Sequence, residues 1–375
     1  MANVADAVPA PVDSVQDSRS SSKPASITST QKQSPPTPEE YAPKGAVRTP
    51  ILVPVPTCKP AIIAPLTADQ QAKYSQVFAT VSNWTTIPST TDKHATNEPI
   101  TDNERMFLTR ECLLRYLRAT KWKVPDALHR LQSTLSWRRE YGADTFTADY
   151  ISPENETGKQ VVIGYDVNAR PCLYLNPAKQ NTKMSDRQIH HLSFMLDRVL
   201  DMLPPGQETT CLLINFKGAA SGNVPSVAQA RAVLNILQNH NPERLGRALI
   251  SQLPWYVSTF FKLISPFIDP VTKEKMKFNE DLRKYVPPEQ LWKESGGDLE
   301  FEYDHAKYWP ALNAECDKRR AAYKQRWVEA GQKIGEYEEY LRGGDHKPLR
   351  DIVVEAEKAT AAAEDGTPDI AQLKV

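Results

Sequence analysis

The spacing of apolar positions divides the chain into a helical stretch, a stretch in which strands alternate with helices, and two ends with little pattern. Over residues 103–141, Leu113, Leu114 and Leu117, then Ala127, Leu128, Leu131, Leu135 and Trp137, recur mostly three and four apart around a break at Lys123-Val124-Pro125. This predicts two or three short, packed helices. From Gln160 the runs shorten. Val161-Val162-Ile163-Gly164-Tyr165 and Pro171-Cys172-Leu173-Tyr174-Leu175 read as strands, and Ile189, Leu192, Leu196, Val199, Leu200 and Leu203 line one face of a long helix over 186–203. A strand over 210–216, a helix over 224–239 and a strand over 245–253 follow, and a polar helix spans 311–341. Such alternation predicts an α/β fold with a mainly parallel sheet covered by helices.

The ends differ in composition. Residues 1–65 hold 12 of the 30 prolines and a Ser/Thr-rich run, and they lack the apolar surface that would offset ordering entropy, so a disordered tail is expected there. An acidic, Ala-rich flexible tail is expected over 346–375. Between them the pattern implies a helical layer over 66–150, an α/β lobe over 151–310 and a C-terminal helix over 311–345, within the two or three domains that 375 residues allow.

Charge removes some function classes. The 46 basic and 46 acidic residues cancel, which argues against a protein that tracks nucleic-acid phosphates. The cancellation is uneven: residues 104–140 hold nine Lys/Arg against four Asp/Glu, and 351–375 hold two against six. A basic helical layer of this kind suits transient contact with anionic membrane surfaces. Cys58, Cys112, Cys172, Cys211 and Cys316 are scattered and odd in number, the pattern of buried thiols in a reducing compartment. No signal peptide is evident at Met1, and the longest apolar stretch, 248–268, is interrupted by Gln252, Pro254, Lys262 and Pro266, against a transmembrane helix. Phosphate-loop, dinucleotide, zinc-protease and nucleophile-elbow signatures are all missing. Gly218-Ala219-Ala220-Ser221-Gly222 places its serine one position late and reads as a turn, and His190 and His191 are adjacent on a helix and do not share a face. No catalytic residue, metal or cofactor is expected.

Four segments of the second half carry the candidate chemistry. Asn241-Pro242-Glu243-Arg244-Leu245-Gly246 joins a helix to a strand. Leu253-Pro254-Trp255 ends that strand, and the following helix bears Val257, Phe260, Phe261, Ile264 and Phe267, an apolar surface that fits either a core helix or a mobile lid able to enter a membrane interface. Asp269 and Pro270 start a helix, which sets Thr272 and Lys275 on one face near a terminus that favours an anion. Glu294-Ser295-Gly296-Gly297-Asp298 makes a tight closing segment.

The ordered set L-L-R-Y-L-R-A-T-K-W (113–122), W-R-R-E-Y-G (137–142), N-A-R-P (168–171), P-E-R-L-G (242–246), P-F-I-D-P-V-T-K-E-K (266–275) and S-G-G-D-L (295–299) resembles the CRAL-TRIO lipid-transfer family. It is most similar to fungal phosphatidylinositol transfer proteins of the yeast secretory type, in particular the azole and pleiotropic drug-resistance subgroup. The resemblance implies a helical N-terminal layer and a lobe whose sheet floors an apolar lipid cavity, closed by a gate helix carrying Trp255, Phe260, Phe261, Ile264 and Phe267. It places the phosphatidylinositol headgroup on Glu243, Thr272 and Lys275. Thr120 stands where the secretory type has arginine, with Lys121 as the neighbouring candidate. Asn241 and Asn215 replace a tyrosine and an aspartate. The implied function is non-enzymatic transfer of phosphatidylinositol between membranes, with sterol or another phospholipid as a second ligand. A lipid-presenting sensor or scaffold acting on a phosphatidylinositol kinase or another lipid-metabolising enzyme stays open, and nucleic acid is not an expected partner. The implied setting is cytoplasmic and peripherally membrane-associated, at the endoplasmic reticulum, lipid droplets or cell periphery.

Overall fold

A strap of extended chain leads into the fold in the computed structural model, which describes residues 35–183, 185–220 and 227–365. After the short helix α1 (Pro38–Tyr41), Val47 pairs with Phe301, and Ile51, Val55 and Cys58 are buried. This corrects the expectation of a disordered tail through residue 65. The prolines set an extended course, and the few apolar side chains between them supply the burial that the composition concealed. Positions 1–34 lie outside the described residues.

The helical layer follows: α2 (Ala68–Ser82), a small hairpin of β1 (Thr86–Pro88) and β2 (Asn97–Pro99), α3 (Asp102–Phe107), α4 (Arg110–Ala119), α5 (Val124–Tyr141) and α6 (Ala148–Asn155). Leu113, Leu114, Leu117, Ala127, Leu131 and Leu135 form one buried cluster with Val77, Val81 and Ile334, as the periodicity requires. Thr67, Thr101 and Thr109 cap α2, α3 and α4 through their side-chain oxygens. The hairpin has no signature in the sequence pattern.

The lobe carries a five-stranded sheet in the order β3 (Gln160–Tyr165), β4 (Pro171–Leu175), β5 (Thr210–Asn215), β6 (Leu245–Ser251) and β7 (Met276–Phe278). β3 and β4 are antiparallel and the remaining pairs are parallel. The register of β3 shifts between Val162 and Tyr165, where Gly164 adopts φ +71° and a Cβ would lie 2.3 Å from the Gln290 carbonyl oxygen. The connections hold α7 (Asp186–Asp201) between β4 and β5; α8 (Val227–Asn235) with a π-helical turn Ile236–His240 before β6; and α9 (Trp255–Ile264) and α10 (Pro270–Glu274) before β7. The strand β7 was not expected, because its three residues follow directly on a predicted helix. Phe194, Met195 and Val199 of α7 join Val161, Tyr174, Leu213 and Leu249 in the main core.

The C-terminal part departs from the single polar helix expected over 311–341, which ends at Glu329 and is followed by two more helices. α11 (His305–Glu329) buries Tyr308, Trp309, Leu312 and Cys316; α12 (Glu338–Leu341) follows; and α13 (Leu349–Asp365) occupies much of the span expected to be a flexible acidic tail. Its Ala-rich composition favours helix. Positions 366–375 lie outside the described residues.

One buried ionic network ties these parts together. Arg115 of α4 donates to Glu208 at 3.0 Å and to Glu338 of α12 at 2.6 Å; Arg118 reaches Glu208 at 3.0 Å, and Arg244 lies 3.4 Å from Glu338. Burial alone would raise the Glu338 pKa, but Arg115, Arg244 and Arg342 hold it well below the ordinary carboxylate range. Arg110, Arg115, Arg118, Arg138 and Arg139 all form ion pairs, so five of the nine Lys/Arg over 104–140 are committed to contacts within the protein. Replacing Glu338 with Ala leaves Arg115 and Arg244 buried without their shared partner. The expected loss is roughly 3–5 kcal/mol of folding stability, measured by urea denaturation.

Candidate functional site

The parallel run of β5, β6 and β7 puts the amino ends of these strands at one edge of the sheet. Glu243 lies two residues before β6 and Lys275 immediately before β7, with the Lys275 carbonyl accepting from the Ala248 N–H at 2.9 Å. Their side chains approach to 4.0 Å, Lys275 Nζ to Glu243 Oε2, and both are partly open to solvent. Glu243 has φ +59°, a left-handed conformation that costs a non-glycine residue roughly 1–2 kcal/mol. Neighbours hold it there: the Arg244 carbonyl accepts from Thr210 N–H at 2.8 Å, and the Arg244 guanidinium donates to the Glu208 carbonyl at 3.0 Å. Spacing along the sequence carries no sign of this strain.

Thr272 is placed differently from the expectation. Asp269 caps α10 as predicted, accepting from Thr272 N–H at 2.9 Å, but its second carboxylate oxygen also accepts a hydrogen bond from the Thr272 hydroxyl. α10 ends after five residues, with Lys275 at its C-cap. The Lys275 backbone therefore stands at the helix's carbonyl end, beyond its free N–H groups. Lys121 is exposed in a left-handed turn with Trp122 after α4, and among the described residues no ion pair joins it to Glu243. The Thr120 hydroxyl turns back to the Tyr116 carbonyl at 2.9 Å.

The π turn before this edge holds residues that sequence reasoning missed. Its Gln238 receives the Asp269 N–H on Oε1 at 3.0 Å and donates Nε2 to the Phe267 carbonyl at 3.0 Å. Arg130 of α5 donates to the carbonyls of Gln238 and of Asn239, the latter at 3.1 Å. His240 stacks on Trp137 with ring centroids 4.1 Å apart and shares a 3.2 Å hydrogen bond with Thr134. A helical period continued to residue 239 looks the same in sequence whether the last turn is α or π.

The helix α9 lies outside the main core. Ile264 and Ile268 cluster with Ala230 of α8, and Leu234, Phe260, Phe261 and Met276 pack against them, apart from the core built on Leu213 and Leu249. Trp255 is 80% exposed, Leu263 57% and Phe267 39%, while Phe260 and Phe261 are half-buried and Ile264 is buried. Of the five side chains expected on this helix and its end, Trp255 and Phe267 thus face outward, joined by Leu263, which the pattern did not single out. Gln252, at φ +55°, turns the chain at the entry to the helix. At the far end, the Arg231 guanidinium sits 4.1 Å over the Phe267 ring.

Register identifies the sheet face that meets this helix. Met276, which packs in the α9 cluster, pairs with Ala248, and Ala248 pairs with Leu212. Leu212 and Ile214 on that face are half-buried, with Leu212 still touching the main core, and Ala248 and Ile250 between them and β7 are buried; Cys211 and Leu213 on the other face are buried in the main core. An apolar floor therefore lies on the side of α9, half-buried at Leu212 and Ile214.

Comparison with known proteins identifies the architecture. A CRAL/TRIO domain model matches residues 155–297, and a CRAL/TRIO N-terminal domain model matches 73–133. The phosphatidylinositol transfer protein PDR17 of Saccharomyces cerevisiae is 36% identical over 309 residues, covering 77% of this chain and 87% of that protein. The chain belongs to the CRAL-TRIO lipid-transfer family. Within this fungal branch, a CRAL-TRIO domain-containing protein of Schizosaccharomyces pombe is 50% identical over 309 residues, which are 82% of this chain but 31% of that longer protein. The SEC14 cytosolic factor of Candida glabrata is 30% identical over 212 residues, 50% of this chain and 70% of that protein. The CRAL-TRIO assignment accords with the mixed, mainly parallel sheet. All five cysteines are buried and free; among the described residues no cluster suited to a metal ion is found, and no helix is long and apolar enough to cross a membrane. Ser221 lies outside the described residues.

The setting of His240 has a measurable consequence. Burial first, then the charges of Arg130 and Arg138, pull its pKa from 6.5 down to about 4. Its contribution to stability is complete above pH 6.5 and is lost as the pH falls toward 4, up to roughly 3 kcal/mol. Denaturation at a series of pH values should show a shallower fall between 6.5 and 4 in His240→Gln than in the wild type. Equal slopes would assign the acid sensitivity to other groups.

Proposed function

We propose that this protein binds one phosphatidylinositol and exchanges it between membranes, with the acyl chains on the apolar sheet face beside α9 and the headgroup at Glu243 and Lys275. The observation that carries the reading is the Glu243–Lys275 pair at the amino ends of β6 and β7, on the crossover that contains the exposed apolar helix. A loosely held ammonium suits a phosphodiester, and a neighbouring carboxylate suits sugar hydroxyls. The half-buried Leu212 and Ile214 ask only for apolar surface, which a sterol supplies as well as an acyl chain does. Thr272 joins the headgroup only if its hydroxyl leaves Asp269. Lys121 requires a rearrangement of its turn to do so.

In this reading α9 is the gate. Its separate cluster lets it move without opening the main core, and Trp255, Leu263 and Phe267 give it an apolar surface for the membrane interface. The half-buried Phe260 and Phe261 hold the closed position.

Two measurements test this reading. In a transfer assay between vesicles with labelled phosphatidylinositol, labelled sterol and labelled phosphatidylcholine, the Glu243→Ala, Lys275→Ala double variant should lose phosphatidylinositol transfer by tenfold or more; wild-type rates from a folded variant would remove the site. In vesicle flotation, Trp255→Glu with Leu263→Glu should weaken membrane binding about tenfold while leaving the unfolding midpoint unchanged, because both side chains are exposed. Phe260→Lys with Phe261→Lys should instead lower that midpoint by disrupting the α9 cluster.

A further inference from the structure

The helical layer supplies a cation to the same edge of the sheet. Arg130 projects from α5 to the π turn, where Nε and one terminal nitrogen donate to the carbonyls of Asn239 and Gln238. Those two residues lie a few positions before Glu243, and Gln238 also fixes Phe267 and Asp269 at the far end of the gate crossover. The guanidinium is half-buried and lies 6.0 Å from the centroid of the Tyr116 ring. Of the six other arginines of the layer, Arg110, Arg115, Arg118, Arg138 and Arg139 lie in ion pairs with carboxylates; among the described residues, Arg130, like Arg105 on α3, is in no such pair. Its contacts are to neutral carbonyls, which leave its full positive charge and its other terminal nitrogen available. Burial lowers its pKa, opposed by Tyr116, Asp269 and Glu243, so these two carboxylates are close enough to act on it. Partly desolvated cations without a counter-ion are costly unless an anion completes the site.

We infer that Arg130 is a ligand-binding residue, the second cation of the Glu243–Lys275 site, and that it contacts the phosphate of an anionic inositol phospholipid. This rests on the function proposed above and gives the site a selectivity for an anionic headgroup that Lys275 alone, 4.0 Å from the Glu243 carboxylate, does not provide. The position is reached through tertiary structure. Thr120 carries no charge and Lys121 is exposed in its own turn, whereas Arg130, one helix later, is delivered to the edge by the packing of α5 on the π turn. Because the same side chain holds Gln238, binding at Arg130 is mechanically linked to the end of the gate.

The test uses the full chain freed of lipid, with vesicles of phosphatidylcholine doped with phosphatidylinositol as the lipid source. Dissociation constants for phosphatidylinositol and the rise in melting temperature on loading are measured for wild type, Arg130→Met, Arg130→Lys and Lys275→Met. Arg130→Met should bind phosphatidylinositol about tenfold more weakly and show a smaller lipid-induced rise, with Arg130→Lys between it and the wild type. A purely structural tie would lower the melting temperature of the lipid-free chain yet leave affinity within twofold, and that result overturns the inference. Where Arg130→Met does not fold, Arg130→Gln, which keeps donors for the two carbonyls without the charge, is judged by the same criterion. Failure of the underlying function reads differently: wild type takes up no phosphatidylinositol, or Lys275→Met binds it as wild type does.

Discussion

Glu338 is a carboxylate with almost no access to water, and it must be paired from several directions at once. Arg115 comes from the helical layer, Arg244 from the start of β6, and Glu338 itself from the C-terminal segment; the Thr109 hydroxyl also donates to Glu338 Oε1, and the Glu338 N–H donates to Glu111 Oε2. Isolated charges of this kind are too costly to leave buried, so docking of the three parts of the chain must bring these groups together. Arg244 is the residue after Glu243. The network that joins the layers therefore also fixes the backbone that holds Glu243 in its left-handed conformation.

A second constraint is the division between two apolar clusters. The main core runs from α7 across the sheet to α11 and the strap, and it holds Leu213 and Leu249 of the central strands. The cluster around Ile264 and Ile268 takes the opposite face at β7 and involves few elements beyond α8, α9 and α10. Burial stabilises each cluster separately, so rearranging the smaller one exposes little of the larger. The gate proposal gains from this because motion there does not call for melting the fold.

The π turn Ile236–His240 connects the two. It presents carbonyls to Arg130, the Gln238 amide to Phe267 and Asp269, and the His240 ring to Trp137. Helical layer, candidate headgroup edge and the end of the α9–α10 crossover thus meet over five residues. Wide turns of this kind often mark functional positions, because they rotate side chains out of the regular helical register.

Much of this was legible in the sequence. The three- and four-residue spacing of Leu113, Leu117, Leu131 and Leu135 and the short apolar runs at 161–165, 171–175 and 210–216 dictated helices and strands, since burial of one face is a local pattern. Asp269-Pro270 announced a helix start for the same local reason, and the ordered motifs pointed to the CRAL-TRIO family. The strap at Ile51 and Val55, the helix at Leu349–Asp365, the strand β7, the outward turn of Leu263, the strain at Glu243 and the approach of Arg130 were not legible. Each depends on a partner far along the chain, and composition or period within a window carries no record of such a partner. The sequence alone thus determined the helices of the layer, the longer strands of the sheet and which family's chemistry they resemble. Tertiary structure decided which charges are neutralised inside, which stand at the sheet edge, and which apolar side chains of α9 face outward, because those outcomes are set by distances between elements that only docking creates.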